Sequence, residues 1–420
     1  MSYVRVAAAA RSPVQAGVAV ALCAFAAIFE GFDLQAPGVT APILGPIFSM
    51  SPGDRGLFLS MSTFGLMFGA IIGGRLSDRV GRKSVLVASI LLFGALSIAT
   101  AFAPDVKMLL VARFFTGVGL GGALPNLIAL ASESVQPERR NSAVGFLLAG
   151  PPIGGALASL VAAYASASGQ WQLVYYVGGF VPVLLIAPVL AFALKEQRPD
   201  PAGARAGAGD RPPIAAALFG EGRAPITLAL WVGFFAVLLV LFMLLGWLPS
   251  LMVSRGLARS DASLVQMAFN LVAIPGSIAA GALLDRSGRP ALTVALIFLS
   301  AGLALAFIAA APGTLAVSLI AGGLAGATVT GSQTLLYAVA PTCYPGPARG
   351  TGMGFCVAAG RFGSAAGPIV AGFLVGAGRS PAQVLGALLP ITALAALATM
   401  FVTVAARRAS TVRREAELAA

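Results

Sequence analysis

Twelve apolar stretches recur along the chain, at roughly 17–44, 57–75, 84–103, 108–130, 142–165, 173–194, 226–250, 263–284, 291–311, 314–338, 350–376 and 383–405. About 20 residues suffice for one helical crossing of a bilayer. Lipid offers no hydrogen-bond partners, so only helices or closed barrels can span it, and runs of this length select the helix. Hydrophobic residues make up 58% of the 420 positions and charged residues 10%, where soluble domains carry about 25% charged. The glycines and prolines within these runs would weaken helices in water but are tolerated in membrane helices. The expected fold class is an all-α membrane protein with twelve transmembrane helices.

A formal net charge of +12 could suggest a nucleic-acid partner, but the distribution argues against one. With the N-terminus placed in the cytoplasm, twenty of the 27 basic residues fall on the inner side, five fall outside, and Arg113 and Arg361 lie within spans. Basic residues on the cytoplasmic side orient a chain, so both termini are expected there, in a bacterial inner membrane. The start of the chain, with Arg5 and Arg11 before an apolar run, resembles a signal peptide. That run is too long and carries acids, so it is read as the first retained span. Cys23, Cys343 and Cys356 have no paired or metal-ligand spacing and are read as small apolar packing residues. There is no histidine. Without a metal cluster or a nucleophile–base spacing, an enzyme is disfavoured and no cofactor is expected.

The chain divides near 195–225, a stretch rich in Pro, Gly, Ala and charge that is read as a cytoplasmic linker. The expected organisation is a six-helix bundle over 1–194, a second over 226–405 and a cytoplasmic tail over 406–420. The halves repeat one another. GRLSDRVGRK (Gly74 to Lys83) follows the second span, and GALLDRSGRP (Gly281 to Pro290) follows the eighth, so that Asp78, Arg79, Gly81 and Arg82 align with Asp285, Arg286, Gly288 and Arg289. Arg140, Gly145, Phe146 and Gly154 align likewise with Arg349, Gly354, Phe355 and Gly363. Parallel repeats place a binding site at their interface near the midplane and imply rocking-type alternating access.

Twelve spans, a central linker and GGRLSDRVGRK together resemble the major facilitator superfamily over essentially the whole chain. EGFDLQAPG in span one, RFFTGVGLGGALPNLIAL in span four, GSQTLLYAVAP in span ten and RGTGMGFCVAAGRFGSAAGP in span eleven resemble the aromatic acid:proton symporters, and among them the bacterial importers of 3-(3-hydroxyphenyl)propionate. That resemblance implies a secondary transporter taking up an aromatic monocarboxylate with protons, and the chain is expected to act as a monomer.

Glu30 and Asp33 are the acids deepest in a span. A carboxylate at mid-membrane costs about 2.5–3.5 kcal/mol on insertion scales, so two in one helix need a use. They lie three apart, on one helical face. With no histidine available, they are the expected proton-titrating pair, and the family's functional acids match both positions; the competing reading is a structural ion pair with an arginine elsewhere. Arg361, close to the middle of span eleven, can hold a carboxylate through two parallel hydrogen bonds. It is expected to bind the substrate anion, or else to neutralise Glu30 or Asp33. Arg113 opens the R-x-x-x-G-x-G-x-G pattern of span four; the resemblance suggests proton transfer, and its place near the outer surface equally allows snorkelling.

Gln333 and Tyr337, four apart in span ten, are the first candidates to read a substrate's ring. Gln35, Asn126, Asn270 and Ser332 could do the same, and interhelical hydrogen bonding explains each of these residues as well. The glycine pairs Gly117/Gly121, Gly150/Gly154, Gly322/Gly326 and Gly363/Gly367 read as close helix packing. Asp78, Arg79, Arg82 and Lys83, with Glu133 and Arg140 as partners, form a candidate latch at the cytoplasmic helix ends; a tight turn that mainly sets topology is the alternative. The rival function is a proton-antiporting exporter of drugs or metabolites, supported by GPPIGG (Gly150 to Gly155). Arg361 argues against cationic cargo.

Overall fold

The computed structural model describes residues 13–136, 139–193 and 213–419, without the side chains of 13–15, 78, 141 and 407–419. Twelve helices are long and apolar enough to cross a membrane: α1 (Ala16–Ile47), α2 (Pro52–Ser77), α3 (Arg82–Thr100), α4 (Val106–Ser134), α5 (Ser142–Ser168), α6 (Gln172–Ala193), α7 (Ala224–Val253), α8 (Arg259–Arg286), α9 (Pro290–Ala310), α10 (Leu315–Cys343), α11 (Gly346–Gly376) and α12 (Pro381–Ala406). Each matches one expected stretch to within a few residues at most ends. Most of the expected linker, 194–212, lies outside the described residues; its end holds a short helix, Ile214–Phe219, that Thr227 of α7 fastens through a hydrogen bond to the Leu218 carbonyl (2.7 Å). The helix of α12 runs on to Ala419.

The sequence repeat is also a packing repeat. In the first six spans α1 packs on α5, α2 on α4 and α3 on α6; in the last six α7 packs on α11, α8 on α10 and α9 on α12. Glycines make the first two seams of each set. Gly117 and Gly121 of α4 lie on the α2 backbone at Ser62 and Leu66, and Gly322 and Gly326 of α10 lie on α8 at Val265 and Phe269. Gly154 of α5 sits on α1 at Ile28, as Gly363 of α11 sits on α7 at Phe235. Small residues let membrane helices approach closely where no hydrophobic force between them exists. The repeated turns match as well. Gly81 (φ 100°) and Gly288 (φ 58°) both take positive φ at the ends of α2 and α8, a backbone that an L side chain rarely adopts.

Gly154→Val places a side chain on the Ile28 carbonyl and the Phe32 amide, backbone atoms that no rotamer change can move. Overpacking costs about 1–3 kcal/mol. The melting temperature of the detergent-solubilised protein is therefore expected to fall, whereas Gly145→Ala, which faces open space, leaves it within error.

The two sets of six meet away from the end of the bundle where residues 193 and 213 emerge, the linker end. Gly38 of α1 lies against the Leu245 carbonyl of α7, and Gly56 of α2 against Pro368 and Ile369 of α11. Ser60 donates to the Ala365 carbonyl (2.8 Å), and Asn270 of α8 donates to Gln35 of α1 (2.8 Å). Among the described residues these are the two hydrogen bonds between the sets, and both lie at mid-depth or beyond it from the linker end. The bundle is closed on that side.

Candidate functional site

Pro37 prepares the site. It has no N–H, so the carbonyl four residues back, that of Asp33, lacks its helical donor. Arg113 of α4 supplies one. Its Nη2 donates to the Asp33 carbonyl (3.0 Å) and to Asp33 Oδ2 (2.8 Å), and its Nη1 reaches Oδ1 (3.4 Å). Ser97 of α3 donates to Oδ1 (2.5 Å), and Arg113 Nε donates to Ser62 of α2 (3.1 Å). The guanidinium also lies over the Tyr175 ring of α6, 5.7 Å from its centre, and the Tyr175 hydroxyl is 2.8 Å from Thr40 of α1. Asp33 and Arg113 are fully buried. Five helices thus converge on one ion pair.

This corrects one expectation for Arg113. Its side chain does not snorkel, because a carboxylate and a freed carbonyl within the bundle offer it better partners than the membrane surface. It also separates the two acids. Asp33 is the partner of a buried arginine, the structural pairing weighed above, and Glu30 is not.

Glu30 lies one turn earlier, 3% exposed, and its Oε2 has no hydrogen-bond partner among the described residues. The charge it senses is Arg361 of α11, though the two do not close an ion pair. Arg361 is half-buried, and its guanidinium makes no hydrogen bond or ion pair among the described residues. Tyr337 of α10 stands within electrostatic reach of Arg361, packs edge-on against Phe234 (5.0 Å between ring centres) and is 37% exposed despite lying in a span. Gln333 is half-buried one turn away. The structure therefore brings Glu30, Arg361 and Tyr337 to one region between the sets, with Asp33 and Arg113 behind Glu30.

The other polar residues are accounted for differently. Gln35 and Asn270 bond to each other, while Asn126 and Ser332 donate to carbonyls of their own helices at 2.8 Å and 2.9 Å. None of these four is directed at a ligand by its hydrogen bonds. Sequence reasoning did not single out Ser62, Ser97, Tyr175 and Thr40. One sign was available for the arginine's destination: an aspartate four residues before a proline offers a carboxylate and a spare carbonyl together.

At the linker end, Arg82 forms an ion pair with Glu133, joining the start of α3 to the end of α4. Both are partly exposed, and such pairs are worth about 0–1 kcal/mol. Arg79 and Arg140 are exposed and pair with no other described residue. Asp78 lies in the last turn of the helix ending at Val80, and its side chain falls outside the described residues. Lys83 follows Arg82 in the first turn of α3.

Two similar six-helix sets, meeting at one end and holding charged residues deep within their spans, have the architecture of a membrane transporter. The chain belongs to the Major Facilitator Superfamily, whose profile matches residues 23–342 and 254–419. It is 41% identical over 379 residues to the 3-(3-hydroxy-phenyl)propionate transporter of Escherichia coli (strain K12), covering 90% of this chain and 92% of that one. It is 31% identical to the gallate transporter of Pseudomonas putida (85% of each chain) and 31% identical to the 4-hydroxybenzoate transporter PcaK of Pseudomonas aeruginosa (91% of each). A bacterial homologue of the human lysosomal transporter Spinster, solved inward-facing and unoccupied, superposes with a TM-score of 0.72 at 18% identity over 94% of this chain and 96% of that one. The protein is a multi-pass membrane transporter and not an enzyme.

Proposed function

We propose that this protein carries an aromatic monocarboxylate into the cell together with protons, the substrate being 3-(3-hydroxyphenyl)propionate or a related aryl acid. The observation that carries the reading is that a buried carboxylate without a hydrogen-bond partner, Glu30, senses an arginine of the other set whose fork is free, Arg361. A transporter for an organic anion needs a cationic anchor and a group that exchanges charge with a proton, and these two residues supply them. The three curated relatives named above are transporters of ring-bearing acids, which agrees with the partly exposed ring of Tyr337, backed by the buried Phe234.

In this reading the substrate's carboxylate docks on Arg361 and displaces the charge of Glu30, which takes a proton. Gln333 and the Tyr337 hydroxyl meet polar groups on the ring. Asp33 and Arg113 complete the proton site from behind. Residues 1–194 and 226–405 act as two rocking bundles joined by 195–225, with 406–420 as a tail. The linker end faces the cytoplasm of a bacterial inner membrane, as the basic residues there favour, so the arrangement described is inward-facing. Asp78, Arg79, Arg82, Lys83, Glu133 and Arg140 come together across the linker end when the outer side opens. The chain works as a monomer. An antiporting exporter gains nothing from GPPIGG, because Gly150 and Gly154 are used as the seat of α5 on α1.

The test is uptake of labelled 3-(3-hydroxyphenyl)propionate into proteoliposomes under an imposed pH gradient, compared with uptake after its collapse. Accumulation that ignores the gradient refutes proton coupling; efflux of drugs in its place would support the exporter. Arg361→Lys keeps the charge but loses the two-pronged geometry. Its half-saturation concentration is expected to rise about tenfold, the equivalent of about 1.4 kcal/mol of binding, and an unchanged value removes Arg361 from the site.

A further inference from the structure

We infer that Glu30 alone carries the coupled proton, while Asp33 stays ionised throughout the cycle, held by Arg113, Ser97 and Ser62 and braced by Tyr175, so that one proton accompanies each substrate anion and transport moves no net charge. This rests on the proposed symport and adds its stoichiometry and a set of positioning residues.

The argument begins with what surrounds each acid. Asp33 accepts hydrogen bonds from Arg113 and Ser97, and Arg113 uses its remaining donors on the Asp33 carbonyl and on Ser62. Ser62, Ser97, Thr40 and Tyr175 are as deeply buried as the pair itself. Protonating Asp33 would leave a guanidinium uncompensated in the membrane interior, where breaking a buried pair from one side is strongly unfavourable. Every member of this network also belongs to α1, α2, α3, α4 or α6, within the first six spans. When the two sets tilt, the network travels as one piece and its surroundings do not change.

Glu30 differs on both counts. Its Oε2 is unpartnered, and the cation it senses, Arg361, belongs to the other set. Its surroundings therefore change with each tilt and with each substrate. The ionisable groups around it are few. Arg361 faces it from α11 with Tyr337 of α10 beside that arginine, and Asp33 follows on α1, already matched by Arg113 of α4. The α5 and α7 segments contain no Asp, Glu, Lys or Arg, and those of α8 lie at its two ends.

The charges then balance in both limbs of the cycle. With substrate bound, Arg361 is matched by the substrate's carboxylate, and Glu30 carries the proton on its own carboxylate oxygen. On release, the anion and that proton both leave to the cytoplasm, and Glu30 becomes the counter-ion of Arg361. Each form that must cross is neutral, which a low-dielectric interior favours. A second proton would have to sit on Asp33 and would make the loaded form a cation.

The test uses wild-type protein in proteoliposomes, with labelled 3-(3-hydroxyphenyl)propionate and an imposed membrane potential at equal pH on both sides. A potential of about 100 mV is worth about 2.3 kcal/mol per charge, so a two-proton carrier would accumulate substrate about 50-fold. The expected ratio is about 1, with accumulation driven by the pH gradient alone. Accumulation under voltage overturns the one-proton inference and leaves the symport standing; acid that moves under neither gradient nor in exchange overturns both. A second measurement addresses Asp33 itself. Substrate exchange retained by Glu30→Gln is expected to be flat from about pH 5.5 to about pH 8.5. A Glu30→Gln carrier that still titrates overturns the assignment of the proton to Glu30 alone; where exchange is lost in the variant, the wild-type voltage ratio decides.

Discussion

Glu30→Gln is expected to abolish accumulation of substrate against its gradient while exchange of internal for external substrate persists. Glutamine keeps the size and a hydrogen-bonding head but cannot bind or release a proton, and no other described carboxylate near Arg361 is unmatched. The concentrative component is expected to fall to the level seen with the pH gradient collapsed. The measurement is labelled uptake in energised vesicles beside counterflow in de-energised ones. Full accumulation by this variant would place the coupling elsewhere. Exchange matters as the control, because it requires substrate binding and tilting of the bundles but no net proton movement.

Arg113→Ala is expected to cost stability as well as transport. It strands Asp33 without its cation in a fully buried position and removes the donor to the carbonyl that Pro37 leaves free. One-sided loss of a buried pair costs about 3–5 kcal/mol, enough to lower the yield of folded, detergent-soluble protein sharply. Asp33→Asn is expected to harm in the same way from the other side. Asp33→Asn combined with Arg113→Gln is expected to recover much of the folded yield, since neither residue then leaves an unpaired charge. Melting temperatures of the two single variants and the double variant check this. Additive losses would mean that the two residues do not work as a pair, whereas strong rescue separates their structural part from any part in transport.

The different behaviour of these two acids shows where sequence reasoning stopped. Their spacing placed both on one turn of a helix, and lipid cost made both significant, but a one-dimensional pattern treats them as equivalent. Which of them finds a cation depends on how α4 crosses α1. That crossing is set by Gly117 and Gly121 lying on the backbone of α2, which hold α4 close enough for Arg113 to reach inward. Gln35 and Asn270 make the same point. Each was legible as polar residues in apolar helices, but their separation of 235 positions hid that they bond to one another and help close one side of the bundle.

Twelve crossings, the duplication of six into six and the basic bias of one side were all determined by the sequence itself, because length, period and the cost of charge in lipid act locally and need no neighbour. The turns at Gly81 and Gly288 belong with these, since a positive φ favours glycine whatever surrounds it. Only the tertiary structure decided that Asp33 is tied to Arg113 while Glu30 is left facing Arg361. Partnership between side chains on different helices depends on crossing angles and depths of approach, and these are settled by all the contacts of the bundle together.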